Sequence, residues 1–207
     1  EKTQYAISGN YSDQKGIVIN SDFKRYSIRL NLDRKIFKNF SVGTHMTASH
    51  TISNSVATDT GGEDGTISGA LRMNPIQPVY EDELTGAYTQ VNVPGILVPN
   101  PVATAKERKF NNATSRLLGD IYAQWEIIPD LRLKVSLGTD IMYHKTNRYT
   151  PSTIYQANGT ATAQIGINKS INWLNENTLT WNKTFAEDHD LNLLGGFTMQ
   201  KNNTEYV

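Results

Sequence analysis

The feature that most constrains this chain is a strict alternation of apolar and polar residues in three long runs. In Phe23–Asp33, Tyr26, Ile28, Leu30 and Leu32 alternate with Arg25, Ser27, Arg29, Asn31 and Asp33. In Ser115–Ile127, Leu117, Gly119, Ile121, Ala123 and Trp125 oppose Arg116, Asp120, Tyr122, Gln124 and Glu126. In Leu131–Lys145, Leu131, Leu133, Val135, Leu137, Ile141 and Tyr143 oppose Arg132, Lys134, Ser136, Asp140 and His144. A helix turning every 3.6 residues would scatter these charges around its circumference, whereas a strand puts them all on one face. Each run therefore predicts a strand with one apolar and one charged face.

Weaker runs follow the same rule. Gln4–Tyr11 sets Tyr5, Ile7, Gly9 and Tyr11 against Gln4, Ser8 and Asn10. Phe40–Ile52 sets Phe40, Val42, Met46 and Ala48 against Ser41, His45, Thr47 and Ser49. A strand within Ile165–Lys183 carries Trp173, Leu179 and Trp181 in one register, and Asp190–Lys201 carries Leu191, Leu193, Phe197 and Met199. The sum is about seven strands, each near the ~9–11 residues that cross a bilayer when tilted.

Connection lengths sharpen the reading. Arg34–Asn39, Ile128–Asp130 and Thr184–His189 read as short links, and Ser12–Asp22, Asn54–Thr114 and Thr146–Ala163 as long ones. Short and long alternate, as expected of an outer-membrane barrel with tight turns on one side and long loops on the other. A soluble sandwich has no reason to alternate its loops in this way. Phe37, Phe40, Trp125, Trp181 and Phe185 fall near the short turns, where an interfacial aromatic girdle would lie. Within the long Asn54–Thr114 connection, Thr66–Met73 reads as a helical turn or two. Asn74–Tyr80 reads as extended, because each proline drives its predecessor out of the helical region.

Composition removes several function classes. The chain has 207 residues, with 20 basic and 20 acidic side chains, so it lacks the positive field that draws nucleic acid. It contains no cysteine, which excludes disulfides, zinc-thiolate centres and thiol nucleophiles. No run approaches the ~20 apolar residues of a spanning helix. A mean hydropathy of −0.48 is compatible with a barrel, because only every second strand residue meets lipid.

Candidate sites are sparse. Asp59, Glu63, Asp64, Glu81, Asp82 and Glu83 make the long loop oxygen-rich. That leaves room for a calcium ion, or formally for a glycosidase carboxylate pair. The spacing is not that of an EF-hand, and a solvated loop is the simpler reading. His45, His50, His144 and His189 show no metal-binding spacing, and no serine sits in a nucleophile elbow. The expectation is no catalytic residue and no resident cofactor or metal. In a barrel wall, Tyr26, Ile28, Leu30, Leu32, Ile121, Trp125, Leu133, Val135 and Leu137 would face lipid. Arg25, Arg29, Asp33, Arg116, Asp120, Glu126, Arg132, Lys134 and Asp140 would face the lumen. Tyr80, Tyr88, Tyr149 and Tyr155 lie in long loops, where a tyrosine can stack on a sugar ring or anchor a partner.

Several blocks carry a resemblance. Tyr5–Ile17 (YAISGNYSDQKGI) and Phe23–Asp33 (FKRYSIRLNLD) resemble the first barrel hairpin of the SusC/RagA family of TonB-linked outer-membrane transporters. Ala70–Tyr80 (ALRMNPIQPVY), Trp173–Lys183 (WLNENTLTWNK) and Asp188–Phe197 (DHDLNLLGGF) resemble further blocks of that family, in the family's order. The resemblance implies an all-β fold, the wall of an antiparallel transmembrane barrel of the 22-stranded type. Residues 1–207 would then be an internal part of the barrel domain without its plug, with 54–114 a long extracellular loop. It further implies TonB-dependent uptake of glycans or peptides together with a SusD-like surface lipoprotein, TonB engaging through the plug. The lumen-facing charges would pair with that plug or with one another. The location implied is the outer membrane of a Gram-negative bacterium. Two other readings stay open on the residues alone. One is a small eight-stranded outer-membrane barrel with a structural or adhesive role, and the other is a secreted carbohydrate-binding β-sandwich.

Overall fold

A computed structural model describes residues 2–57, 65–93, 96–154, 159–186 and 189–207. In chain order the elements are β1 (Thr3–Lys15), β2 (Asp22–Phe37), β3 (Phe40–Asn54), α1 (Thr66–Arg72), β4 (Tyr80–Asp82), β5 (Ala87–Tyr88) and β6 (Val91–Val93). They continue with β7 (Ile96–Val98), α2 (Pro101–Glu107), β8 (Lys109–Ile128), β9 (Leu131–Thr150), β10 (Thr162–Phe185) and β11 (His189–Tyr206). Seven long strands form one sheet in the order β1-β2-β3-β8-β9-β10-β11, every neighbouring pair antiparallel. The predicted all-β antiparallel wall is the architecture found.

The strands are longer than alternation alone predicts. Arg34–Phe37 belongs to β2, and Ser12–Lys15 to β1. Lys109–Thr114 belongs to β8, and Thr146–Thr150, including Tyr149, to β9. The predicted turns Arg34–Asn39 and Thr184–His189 shrink accordingly, and the long connection runs over residues 55–108. The cause is that ladder hydrogen bonds join backbone groups and are indifferent to side-chain hydropathy. Side-chain alternation lapses where the strand ends carry Lys, Asn and Thr, yet the pairing Lys109↔Tyr149 through Thr114↔His144 continues unbroken.

One hairpin shows how sequence closes a turn. Ile128 pairs with Leu131, leaving Pro129 and Asp130 as a two-residue loop. Proline fixes φ near −65° and Asp130 takes φ 73°, the φ signature of a type II turn. Asn182 N–H then donates to the Asp130 carbonyl at 2.9 Å.

Asn74–Gln77 is a turn, not the extended segment predicted. Gln77 N–H donates to the Asn74 carbonyl at 3.0 Å, and Ile76 N–H to Asn74 Oδ1 at 3.2 Å. A proline after asparagine satisfies the restriction on its predecessor and also suits the second position of a β-turn, and here the turn wins.

The described residues of the connection between β3 and β8 form a small assembly. Asn100, 5% exposed, organises it: its Oδ1 accepts from Val102 N–H and Ala103 N–H at 3.0 and 3.2 Å, capping α2. Its Nδ2 donates to the carbonyls of Val79 and Thr89 at 2.8 and 3.2 Å. Ala103 and Ile154 form a small buried cluster with Tyr88 against it. Asn20, at the β1–β2 tip, donates to the carbonyls of Ala105 and Lys106 at 3.1 and 3.2 Å, tying α2 to that tip. Asn100→Ala removes the cap and both carbonyl partners. It is expected to cost about 1–2 kcal/mol of local stability. Faster amide exchange at Val102 and Ala103, with β8 to β10 unchanged, is the readout. Unchanged exchange at α2 would show that the cap is dispensable.

Candidate functional site

Because opposed residues of an antiparallel pair share a face, the register sorts the wall into two surfaces. One row runs Leu32, Thr44, Ile121, Leu137, Asn175, Met199, and another runs Ile28, Ala48, Leu117, Ile141, Ile171. All nine residues expected to face lipid, from Tyr26 and Ile28 to Val135 and Leu137, share this apolar face. It is bare: Ile28 and Ile121 are 56% and 57% exposed. A sandwich would bury such a face under a second sheet. The other sheets among the described residues are the two-stranded β4–β5 and β6–β7. Asn175 and Asn177 interrupt the belt. Asn177 Nδ2 donates to Asn175 Oδ1 at 2.7 Å, and Asn175 Nδ2 to the Ser136 carbonyl at 3.0 Å, so the pair meets part of its own polar demand.

Aromatic side chains border the belt. At the short-turn end Phe37 lies 6.5 Å from Phe40, Trp181 lies 6.2 Å from Phe185, and Phe40 pairs with Trp125. Toward the long loops Tyr11 lies 5.0 Å from Tyr26, and Tyr143 continues that side of the belt on β9. Leu133, opposite Trp125, and Tyr143 lie ten positions apart on β9. At ~3.3 Å per residue that is about 33 Å of strand. Tilted by 35–45°, it spans a height of roughly 23–27 Å, matching the ~25 Å apolar band of outer-membrane barrels.

The opposite face carries all nine residues expected to face the lumen. Arg116 and Asp140 form a two-pronged pair, Nε to Oδ1 at 2.8 Å and Nη2 to Oδ2 at 2.7 Å. Arg29 Nε donates to Thr47 Oγ1 at 3.3 Å. Three strands meet at His45, whose Nδ1 lies 3.3 Å from the Asp120 carboxylate and whose Nε2 lies 3.6 Å from Asp33 Oδ1. Tyr122 stacks on His45 at 5.9 Å, donates its hydroxyl proton to Asp33 at 2.5 Å, and lies under Lys134 Nζ at 4.7 Å. Neighbouring rows of this face shape a cavity of about 570 Å³ lined by Arg29, His45, Asp120, Asp140, Asn172 and Gln200. Arg25, Glu126 and Arg132 project on this face outside that network. Sequence reasoning missed Tyr122 and His45 as a joint centre. The available signal was Gly43, a side-chain gap between Asp33 and Tyr122 in one row.

Tyr80 and Tyr88 pair across β4–β5, with rings 5.1 Å apart. Lys106 Nζ donates to Tyr80 Oη at 3.3 Å. Burial, then Tyr80 and Glu107, push the Tyr88 phenol above its usual range, so it stays neutral. Tyr149 stands exposed on β9, and Tyr155 lies outside the described residues, as do Asp59, Glu63 and Asp64. Asp82 uses both oxygens internally, accepting from Leu84 N–H at 2.8 Å and Thr85 Oγ1 at 3.0 Å. These bonds hold its carboxyl below the usual range.

No family model matches the chain. Known proteins do. TonB-dependent receptor P3 of Formosa agariphila is 35% identical over 206 residues, which cover 97% of this chain and 20% of that protein. TonB-dependent receptor SusC of Bacteroides thetaiotaomicron is 32% identical over 155 residues, covering 65% of this chain and 15% of that protein. This chain thus spans about a fifth or less of the length of these relatives. Among solved structures, the RagAB peptide importer in its closed-closed state superposes with a TM-score of 0.79 at 24% identity, over 100% of this chain and 23% of that one. BauA, the ferric preacinetobactin receptor from Acinetobacter baumannii, superposes at 0.53 and 11% identity. In sequence and in fold, this chain is homologous to a segment of the SusC/RagA-type TonB-dependent receptors.

Proposed function

We infer that this chain forms part of the barrel wall of an outer-membrane importer in a Gram-negative bacterium. Its apolar face meets lipid and its charged face lines the lumen. The protein takes up a nutrient, a glycan or a peptide, in a TonB-dependent manner, with a SusD-like surface lipoprotein over its extracellular mouth. The observation that carries the reading is the apolar belt, bordered by aromatic side chains and of a height that fits a bilayer. The wall's role is containment and passage, with no part in bond chemistry. The two outer strands, β1 and β11, end the sheet with unpaired backbone groups. In lipid each such group would cost several kcal/mol, so both edges require further strands. This favours a large barrel over a small one closed by these strands. The Arg116–Asp140 pair and the His45 centre then line the path, where a plug domain would lie against them.

These 207 residues contain no cysteine, so within them a label reports only on the introduced site. Single cysteines at Leu30, Ile121 and Val135, and at Arg29, Asp120 and Ser136, are labelled with an environment-sensitive fluorophore in the outer membrane of cells making the protein. A hydrocarbon-like emission from the first set alone is the expected result. Water-like emission from both sets would sink the barrel-wall reading.

A further inference from the structure

Above the His45 centre, where the loop assembly returns to the wall, lies a second cavity of about 410 Å³. Its floor is the end of the charged face, where Phe110, Arg148 and Gln164 form one cross-strand row. Thr104 of α2, Arg108 just after it, and Ser55–Ala57 line it from the loop side. Three cationic residues line it, Arg108, Lys109 and Arg148, and no acidic residue does so among the described residues.

Arg108 and Arg148 make no ion pair among the described residues. The Arg108 guanidinium has a buried Nη1 with no hydrogen-bond partner among the described residues. A buried donor left unmade costs free energy, so the site calls for an acceptor. The Arg148 guanidinium lies 4.5 Å over the Phe110 ring. Stacking fixes its plane while leaving the N–H edge available, the arrangement with which arginine grips a planar oxyanion. The contrast with Arg116 is informative, because two of that arginine's N–H groups already grip Asp140. The nearest carboxylate along the chain, Glu107, accepts from Thr153 Oγ1 at 2.5 Å. The volume falls in the range of small-ligand sites, and polar groups beside an aromatic platform complete the usual composition of one.

We propose that this cavity binds a carboxylate group of the incoming substrate, with Arg108 and Arg148 as its two partners and Phe110 as the platform that orients Arg148. The proposal rests on the importer reading and narrows it to an acidic substrate, a polyanionic glycan or an acidic peptide. Both present the same planar carboxylate, so the pocket selects the group and the rest of the lumen mouth selects the chain that bears it.

The test uses the whole protein purified in detergent and titrated calorimetrically with two matched pairs. One pair is the end-blocked tetrapeptide of glutamate and its glutamine counterpart. The other is trigalacturonic acid and galactotriose. In at least one pair the acidic probe is expected to bind about tenfold or more tighter than its neutral partner. The pair that responds tells peptide from glycan. R108Q and R148Q are each expected to reduce that preference about tenfold, as loss of a charge-assisted bond does. R148K should retain part of it, and K35Q, at the short-turn end of β2, all of it. No acidic preference in either pair, or one that survives both R108Q and R148Q, overturns the proposal. Membrane insertion of each variant is followed by gel-shift on heating, so misfolding is separated from lost binding. Failure here with the cysteine labelling intact would dismiss the pocket and leave the importer reading standing.

Discussion

Ile121→Arg is expected to destabilise the membrane-inserted protein by about 2–4 kcal/mol, whereas Ser136→Arg, on the adjacent strand, is expected to stay within about 1 kcal/mol. Ile121 pairs with Thr44 and Leu137 near the middle of the apolar belt, and it is 57% exposed on that face. A guanidinium there sits near the depth where water is scarcest, with two short side chains beside it and no carboxylate in its row. Ser136 belongs to the opposite face, in the row that holds Tyr122 and Glu176. An arginine at that position enters a polar surface with acceptors in reach. The measurement is urea unfolding of the whole protein from phosphocholine vesicles, with Ile121→Leu as the volume control. Equal costs for the two arginines would mean that the faces do not differ in solvent, and the wall would lose its orientation.

This contrast was legible in the sequence because a period of two is a property of neighbouring residues. The positions of Ile28, Leu30, Leu133 and Val135 need no long-range information to be sorted onto one face. Strand ends were not legible. Thr146–Thr150 and Lys109–Thr114 pair through backbone groups that every residue carries, so the side chains give no sign of where the ladder stops. The loop assembly was hidden for a different reason. Asn100 joins Val79, Thr89 and α2 by contacts that depend on the folded chain, and one asparagine among many announces nothing. The same applies to Arg108 and Arg148, forty positions apart and brought to one cavity by the β8–β9 register. The charged residues of the lumen-side expectation were found because alternation placed them. The same alternation placed His45 and Tyr122 on that face, but their contact with each other and with Asp33 was not legible, because it depends on the gap at Gly43.

That gap supports a second large effect. Gly43→Val is expected to cost about 2–3 kcal/mol, although valine in a strand ordinarily stabilises relative to glycine by up to about 1 kcal/mol. A Cβ on Gly43 would lie 2.4 Å from Asp33 Oδ1, 2.4 Å from Tyr122 Cε1 and 2.7 Å from Tyr122 Cζ. The obstacles are side-chain atoms, so the backbone ladder survives, but the ring must swing off and release Asp33. The lost Tyr122–Asp33 hydrogen bond accounts for about 1 kcal/mol, and crowding of the ring against its neighbours for the rest. Tyr122→Phe should therefore show only the smaller part. In a Tyr122→Ala background the ring is gone, and Gly43→Val should cost far less, a coupling of at least about 1 kcal/mol between two positions on neighbouring strands. Unfolding of the four proteins of this cycle in vesicles measures it directly. If Gly43→Val proves neutral or stabilising, Tyr122 does not reach Asp33 across β3, and the His45 centre is a set of independent polar side chains.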